Sequence, residues 1–219
     1  MIWKTNIVET STLSETLSKD KFTLEELLDD ELLLQELKNS NEKLVTFLSK
    51  QETLMRLLNH SLKEPPSASD DESHSKRFKY AHVATEVLTS NVDEVTGGMF
   101  SYPEARKLIG NFLSDNNPEN LNPLMASFYT KIMTQLLAKH PNDGQTLRLM
   151  KECNSGDYVL DLMRHMGTSS VMDLSYRLVT VPEDEEESTA IKQVKLRRDL
   201  WRKAEKPLAA WADGDMGAG

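Results

Sequence analysis

The chain has 219 residues, 38% of them hydrophobic, and a formal charge of −9 from 35 acidic and 26 basic side chains. At roughly 100–200 residues per domain this suits one domain plus tails, and the acidic balance opposes wholesale nucleic-acid binding, which draws on clustered Lys and Arg. Cys153 is the sole cysteine, excluding an internal disulfide and a cysteine-rich zinc site and fitting a reducing cytoplasmic or nuclear compartment.

The opening "MIWKTNIVE" lacks the apolar core of a secretory signal, and no run approaches the roughly 18 apolar residues needed to span a bilayer. A soluble intracellular protein with no membrane partner is expected. "FTLEELLDDELLLQELK" begins with a capping box, Thr23 and Glu26 each reaching the other's backbone amide. Its apolar side runs through Leu24, Leu27 and Leu28, with Asp29-Asp30 a point of restart before Leu32–Leu34. "NEKLVTFLSKQETLMRLLNHSLKE" continues the helical rhythm until Pro65-Pro66 ends it. Residues 67–76, "SASDDESHSK", read as a flexible polar loop.

"FKYAHVATEVLTSN" is a short amphipathic helix, and Gly97-Gly98 mark a turn within "VDEVTGGMFSY". Pro103 suits the first position of "PEARKLIGNFLSDN". In "NPLMASFYTKIMTQLLAKHP" Asn122 is the N-cap, and two neighbouring apolar columns predict a helix wedged between others: Leu124, Phe128, Ile132, Leu136 beside Met125, Tyr129, Met133, Leu137. "TLRLMKEC" and "DYVLDLMRHM" are shorter helices. Gly167 then reads as a left-handed helix terminator, Thr168 as the next N-cap, and Val171, Leu174, Leu178 and Val179 as a new apolar stripe. Asp173 and Arg177 lie at i,i+4 with the acid first, a favourable order contributing about 0.2–0.5 kcal/mol. From 183 an acidic run, a basic stretch (192–206) and a disordered end form a divergent tail, residues 182–219. With no strand-like alternation, the expected fold is all-α, an armadillo- or HEAT-like helical-repeat solenoid spanning residues 1–181.

Chemistry is scarce. His140, Cys153 and His165 lack metal-ligand spacing, and Ser169, His165 and Asp173 lack a nucleophile elbow, so no catalytic residue, metal or cofactor is expected. Asp29-Asp30 and Asp70-Asp71 read as solvent-facing. Methionines 125, 133, 150, 163, 166 and 172 read as core fillers, with a partner groove the sharper alternative. The basic segment 192–206, with Trp201, reads as a charged helix face; its alternative is a nucleic-acid or nuclear-import adaptor. A non-catalytic scaffold remains, with its candidate protein-interaction surface at Asn122, Ser127, Thr168, Asp173 and Arg177.

Several stretches together resemble the SAPS-domain family, regulatory subunits of protein phosphatase 6 and its fungal equivalent. "MIWK" is similar to that family's "MFWK", and "FTLEELLDDELLLQELK" to its early acidic helix, where many members carry cysteine at the position of Leu37. "KEPP" matches its proline stop; "NPLMASFYTKIM" and "HMGTSSVMDLSYRLVT" resemble two of its most recognisable helices. The resemblance runs collinearly from residue 1 to about 181, the family's N-terminal part. It departs in the expanded "SASDDESHSKR" loop and in the loss of pattern after Val181, where family members continue for hundreds of residues. It implies a helical-repeat subunit that binds a serine/threonine phosphatase catalytic subunit of the protein phosphatase 6 type, directs its substrate choice, and joins further scaffold proteins in the cytoplasm and also the nucleus.

Overall fold

The computed structural model describes residues 12–18, 22–66, 77–139, 145–152, 158–180 and 202. The loop at 67–76, His140, Cys153 and the tail from 182 apart from Arg202 lie outside them. The described residues form helices with no strand. In chain order these are α1 (Thr12–Ser18), α2 (Leu24–Asp29), α3 (Leu33–Lys38), α4 (Glu42–Leu48), α5 (Gln51–Leu62) and α6 (Lys79–Leu88), then α7 (Asp93–Ser101), α8 (Pro103–Gly110), α9 (Pro123–Lys139), α10 (Gln145–Glu152), α11 (Tyr158–Arg164) and α12 (Ser169–Thr180).

Local signals place most boundaries. The capping box forms as expected: the Thr23 hydroxyl accepts from the Glu26 amide at 3.2 Å and Glu26 accepts from the Thr23 amide at 2.9 Å. Helix α2 ends at Asp29 and the chain restarts in α3, as the acidic pair suggested. Pro103 opens α8, and the Asn122 carboxamide oxygen accepts the Leu124 amide at 2.9 Å to cap α9.

Three boundaries differ from the sequence reading. "NEKLV…" breaks at Ser49-Lys50 into α4 and α5. Leu44 and Leu48 are buried on α4, but the next buried leucine is Leu54, six residues on, out of step with a 3.6-residue repeat; a bend lets both sets face the core. Gly97 and Gly98 lie inside α7 rather than in a turn. The reason is packing: a Cβ on Gly98 would meet the Leu54 Cδ2 methyl at 2.8 Å and the Tyr102 ring at 3.2 Å. Gly167 is not left-handed, and a Cβ there would meet nothing within 4 Å. Among the described non-glycine residues the left-handed one is Ser40, at φ 55°. Its amide reaches the Leu37 carbonyl at 3.0 Å while the Asn41 amide reaches the Glu36 carbonyl at 3.2 Å, a complete Schellman ending for α3 with serine where glycine is usual.

Packing advances along the chain, the logic of a helical-repeat solenoid. Helices α2 and α3 sit on α6, α5 pairs most extensively with α6, both pack on α9, and α9 packs on α12. Helix α9 buries both predicted columns apart from Leu124, which is half-buried: Met125, Phe128, Tyr129, Ile132, Met133, Leu136 and Leu137 all face the core. A helix hydrophobic over so wide an arc needs neighbours on several sides, and α5, α6, α10 and α12 supply them. No described helix is long and apolar enough to cross a membrane.

Candidate interaction surface

The last described helices are held by buried polar contacts as well as by leucines. The Tyr129 and Tyr158 hydroxyls meet at 2.6 Å inside the core, with Phe112 stacked on Tyr129 at 4.4 Å. His165, at the end of α11, is buried: its Nδ1 lies 2.8 Å from the Asp161 carbonyl and its Nε2 3.1 Å from the Asn116 carbonyl. This ring ties the α11–α12 corner to the connection between α8 and α9. It is turned to backbone oxygens, not to Ser169 and Asp173, so the three residues form no triad.

The five residues singled out from sequence divide by location. Asn122 is half-buried, and its amide donates to Glu64 at 3.2 Å, bolting the start of α9 to the end of α5. Thr168 is half-buried at the head of α12, its carbonyl accepting from the Val171 and Met172 amides. Ser127 on α9 and Asp173 and Arg177 on α12 are exposed. The packing of α9 on α12 brings the helices carrying these three together, whereas Asn122 serves the α5–α9 joint.

Sequence reasoning missed apolar side chains beside these. Met125, Met133 and Met150 are core residues as expected, but Met163, Met166 and Met172 are exposed. With Tyr176, 71% exposed, they make up four of the five large hydrophobic side chains exposed among the described residues, all on α11, α12 and the corner between them. Methionine, tyrosine and arginine are side-chain types enriched at protein interfaces. The i,i+4 spacing of Met172 and Tyr176 was legible; their place outside the α9-facing stripe was not.

A second polar region lies across α2, α5 and α6. Arg56 grips both oxygens of Glu25 at 2.5 and 2.6 Å, and His60 Nε2 lies 3.6 Å from the same carboxylate. Burial pushes the Glu25 carboxyl up, but the Arg56 hydrogen bond, its own backbone amide and the Arg56 and His60 charges outweigh this, leaving it below its ordinary value. Asp29 is lowered by hydrogen bonds from Lys79 and then Tyr80, and the same bond raises the Tyr80 phenol. Asp29 is thus exposed but committed to an ion pair, and Asp30 is half-buried rather than solvent-facing. Among the described residues, no cluster of three or more His, Cys, Asp or Glu could hold a metal.

Comparison with known proteins bears on what such an array is for. The chain is 34% identical over 215 residues, 97% of its length, to serine/threonine-protein phosphatase 6 regulatory subunit 3-B of Xenopus laevis. It is 35% identical over 183 residues to regulatory subunit 2 of Mus musculus, covering 84% of this chain. The chain belongs to the SAPS-domain family. A more distant fungal relative, extragenic suppressor of kinetochore protein 1 of Schizosaccharomyces pombe, is 28% identical over 167 residues, 74% of this SAPS-domain chain and 19% of that protein. The chain spans only 23% and 19% of the Xenopus and mouse relatives. No family model and no solved structure matches it. Nothing among the described residues bears on the nucleic-acid or nuclear-import alternative, since its segment lies outside them except for the exposed Arg202.

Proposed function

We propose that this SAPS-domain chain is the helical-array part of a non-catalytic regulatory subunit that holds a serine/threonine phosphatase catalytic subunit of the protein phosphatase 6 type and directs its substrate choice. The observation that carries this reading is collinear similarity, over nearly the whole chain, to proteins named as regulatory subunits of that phosphatase. The fold suits the role: stacked helices give an extended rigid surface without needing a cofactor or metal. The contact surface in this reading is the α11–α12 corner, with Met163, Met166, Met172 and Tyr176 as apolar anchors and Asp173 and Arg177 as its polar rim. The remaining outer faces are left for further scaffold proteins. The cytoplasm, and secondarily the nucleus, is the compartment, to be checked by fractionation.

The test is capture of purified phosphatase 6-type catalytic subunit on the immobilised chain. Binding is expected, and Met172→Glu with Tyr176→Glu should weaken it by at least about tenfold, the loss of roughly one interfacial anchor. Both residues are exposed, so circular dichroism should show an unchanged helical fold. A folded chain that captures no catalytic subunit overturns the partnership. Capture indifferent to the double substitution overturns the corner as its surface.

A further inference from the structure

A cleft of about 380 Å³ opens between the end of α5 and the start of α6, walled by Arg56, Asn59, His60, Lys63, Arg77 and Tyr80. Arg56, Asn59 and His60 fall at i, i+3 and i+4 on one face of α5, and Lys63 follows directly at its C-terminal end. Arg77, two residues before α6, lines the same cleft. Within a chain of net charge −9, the described lining of this hollow holds three permanent cations and one carboxylate, Glu64, with Glu25 paired to Arg56 beside it. That carboxylate is already matched, accepting from Arg77 at 3.1 Å and from Asn122 at 3.2 Å.

The two arginines are fixed in place but not used up. Arg56 spends one terminal nitrogen, Nη2, on Glu25, and that pair leaves its Nε and Nη1 hydrogens uncommitted. Arg77 directs Nε to the Pro66 carbonyl at 3.1 Å and Nη2 to Glu64 and the Pro65 carbonyl, at 3.1 and 2.8 Å; its Nη1 lies outside those bonds. The Lys63 side chain is exposed and makes no ion pair among the described residues. Guanidinium groups braced by an acid on one side and presenting free N–H groups on the other have already lost the side-chain entropy that binding would otherwise cost.

We propose that this cleft binds a phosphate monoester carried on a peptide, a phosphoserine or phosphothreonine side chain. A phosphate bears about 1.5–2 negative charges and three acceptor oxygens, matching the uncommitted N–H groups of two arginines and one ammonium, where a single carboxylate leaves a donor unanswered. The volume is in the range of roughly 300–1,000 Å³ for ligand sites, and Pro65, Pro66 and Tyr80 supply apolar walls for the peptide flanking the phosphate. The proposal stands without the phosphatase partnership; where both hold, the array carries phosphorylated segments towards the enzyme it binds.

The test uses the full chain and fluorescence anisotropy with three labelled peptide pools of randomised neutral flanks, bearing at one fixed position phosphoserine, serine or glutamate. The phosphoserine pool should bind at least about tenfold tighter than the serine pool, with affinity falling as salt rises. Lys63→Glu, at an exposed side chain with no ion pair to break, should reduce that affinity about tenfold without moving the melting temperature. Equal binding of the phosphoserine and serine pools, equal binding of the glutamate pool, or indifference to Lys63→Glu overturns the proposal. Inorganic phosphate should compete only weakly; competition on a par with the phosphopeptide pool overturns the peptide component.

Discussion

Gly97 and Gly98 are chain neighbours in α7, and substituting each by alanine should shift stability in opposite directions. In a helix interior alanine is favoured over glycine by about 0.8–1.0 kcal/mol. At Gly97 nothing lies within 4 Å of the new Cβ, so the gain should be realised in full. At Gly98 the new Cβ falls 2.8 Å from the Leu54 methyl, about 0.6 Å short of ordinary contact. Leu54 is fully buried on α5, so its methyl has no solvent to move into, and the Tyr102 ring at 3.2 Å is anchored by its hydroxyl donating to the Ser49 carbonyl. Overpacking of this kind costs typically about 1–3 kcal/mol, which exceeds the helix-propensity gain, for a net loss of about 1 kcal/mol. Urea unfolding followed by circular dichroism should therefore separate the variants by about 2 kcal/mol, and thermal melts by roughly 4–8 °C. Equal stability of the two would refute the claim that close approach of α5 to α7, rather than a turn, is what requires the second glycine.

Ser40→Gly should stabilise the chain by about 1 kcal/mol by relieving a left-handed serine, measurable as a higher urea midpoint. Gly167→Ala should be neutral or stabilising by up to about 1 kcal/mol, since that backbone is ordinary and open; a loss on melting would restore the left-handed corner. Glu25 and Asp29 are both lowered from ordinary values of 4.5 and 3.8, so their contribution is present above those values and fades as pH falls through the lower folded-state ones. The pairs are well exposed, so the effect should be small and blunted by salt, and Arg56→Gln should flatten the acid limb of a stability–pH curve. An unchanged acid limb in that variant would remove the ion pair from the stability of the α2–α5 contact.

Much of the fold was legible because its determinants are local. The Thr23–Glu26 box, Pro103, Asn122 and the double column on α9 each act within one or two helical turns, so their outcome follows from residue types and spacing. The errors have one origin. Whether Gly98 is a turn or a packing contact depends on Leu54, 44 residues earlier, and whether Met125 or Met172 faces the core depends on which neighbours α9 and α12 acquire. Periodicity names an apolar stripe but not how much of a helix's circumference its neighbours cover. Met163, Met166 and Met172 were assigned to the interior for the same reason.

Composition and rhythm by themselves determined that this chain is helical and where most helices start and stop, because these follow from interactions within a few residues. Tertiary structure alone decided that Gly98 packs against Leu54, that His165 locks α11 to a distant loop, and that Arg56, Lys63 and Arg77 line one hollow. Such features arise only when segments far apart in the chain are pressed together, and the free energy of those contacts overrides what each segment would choose alone.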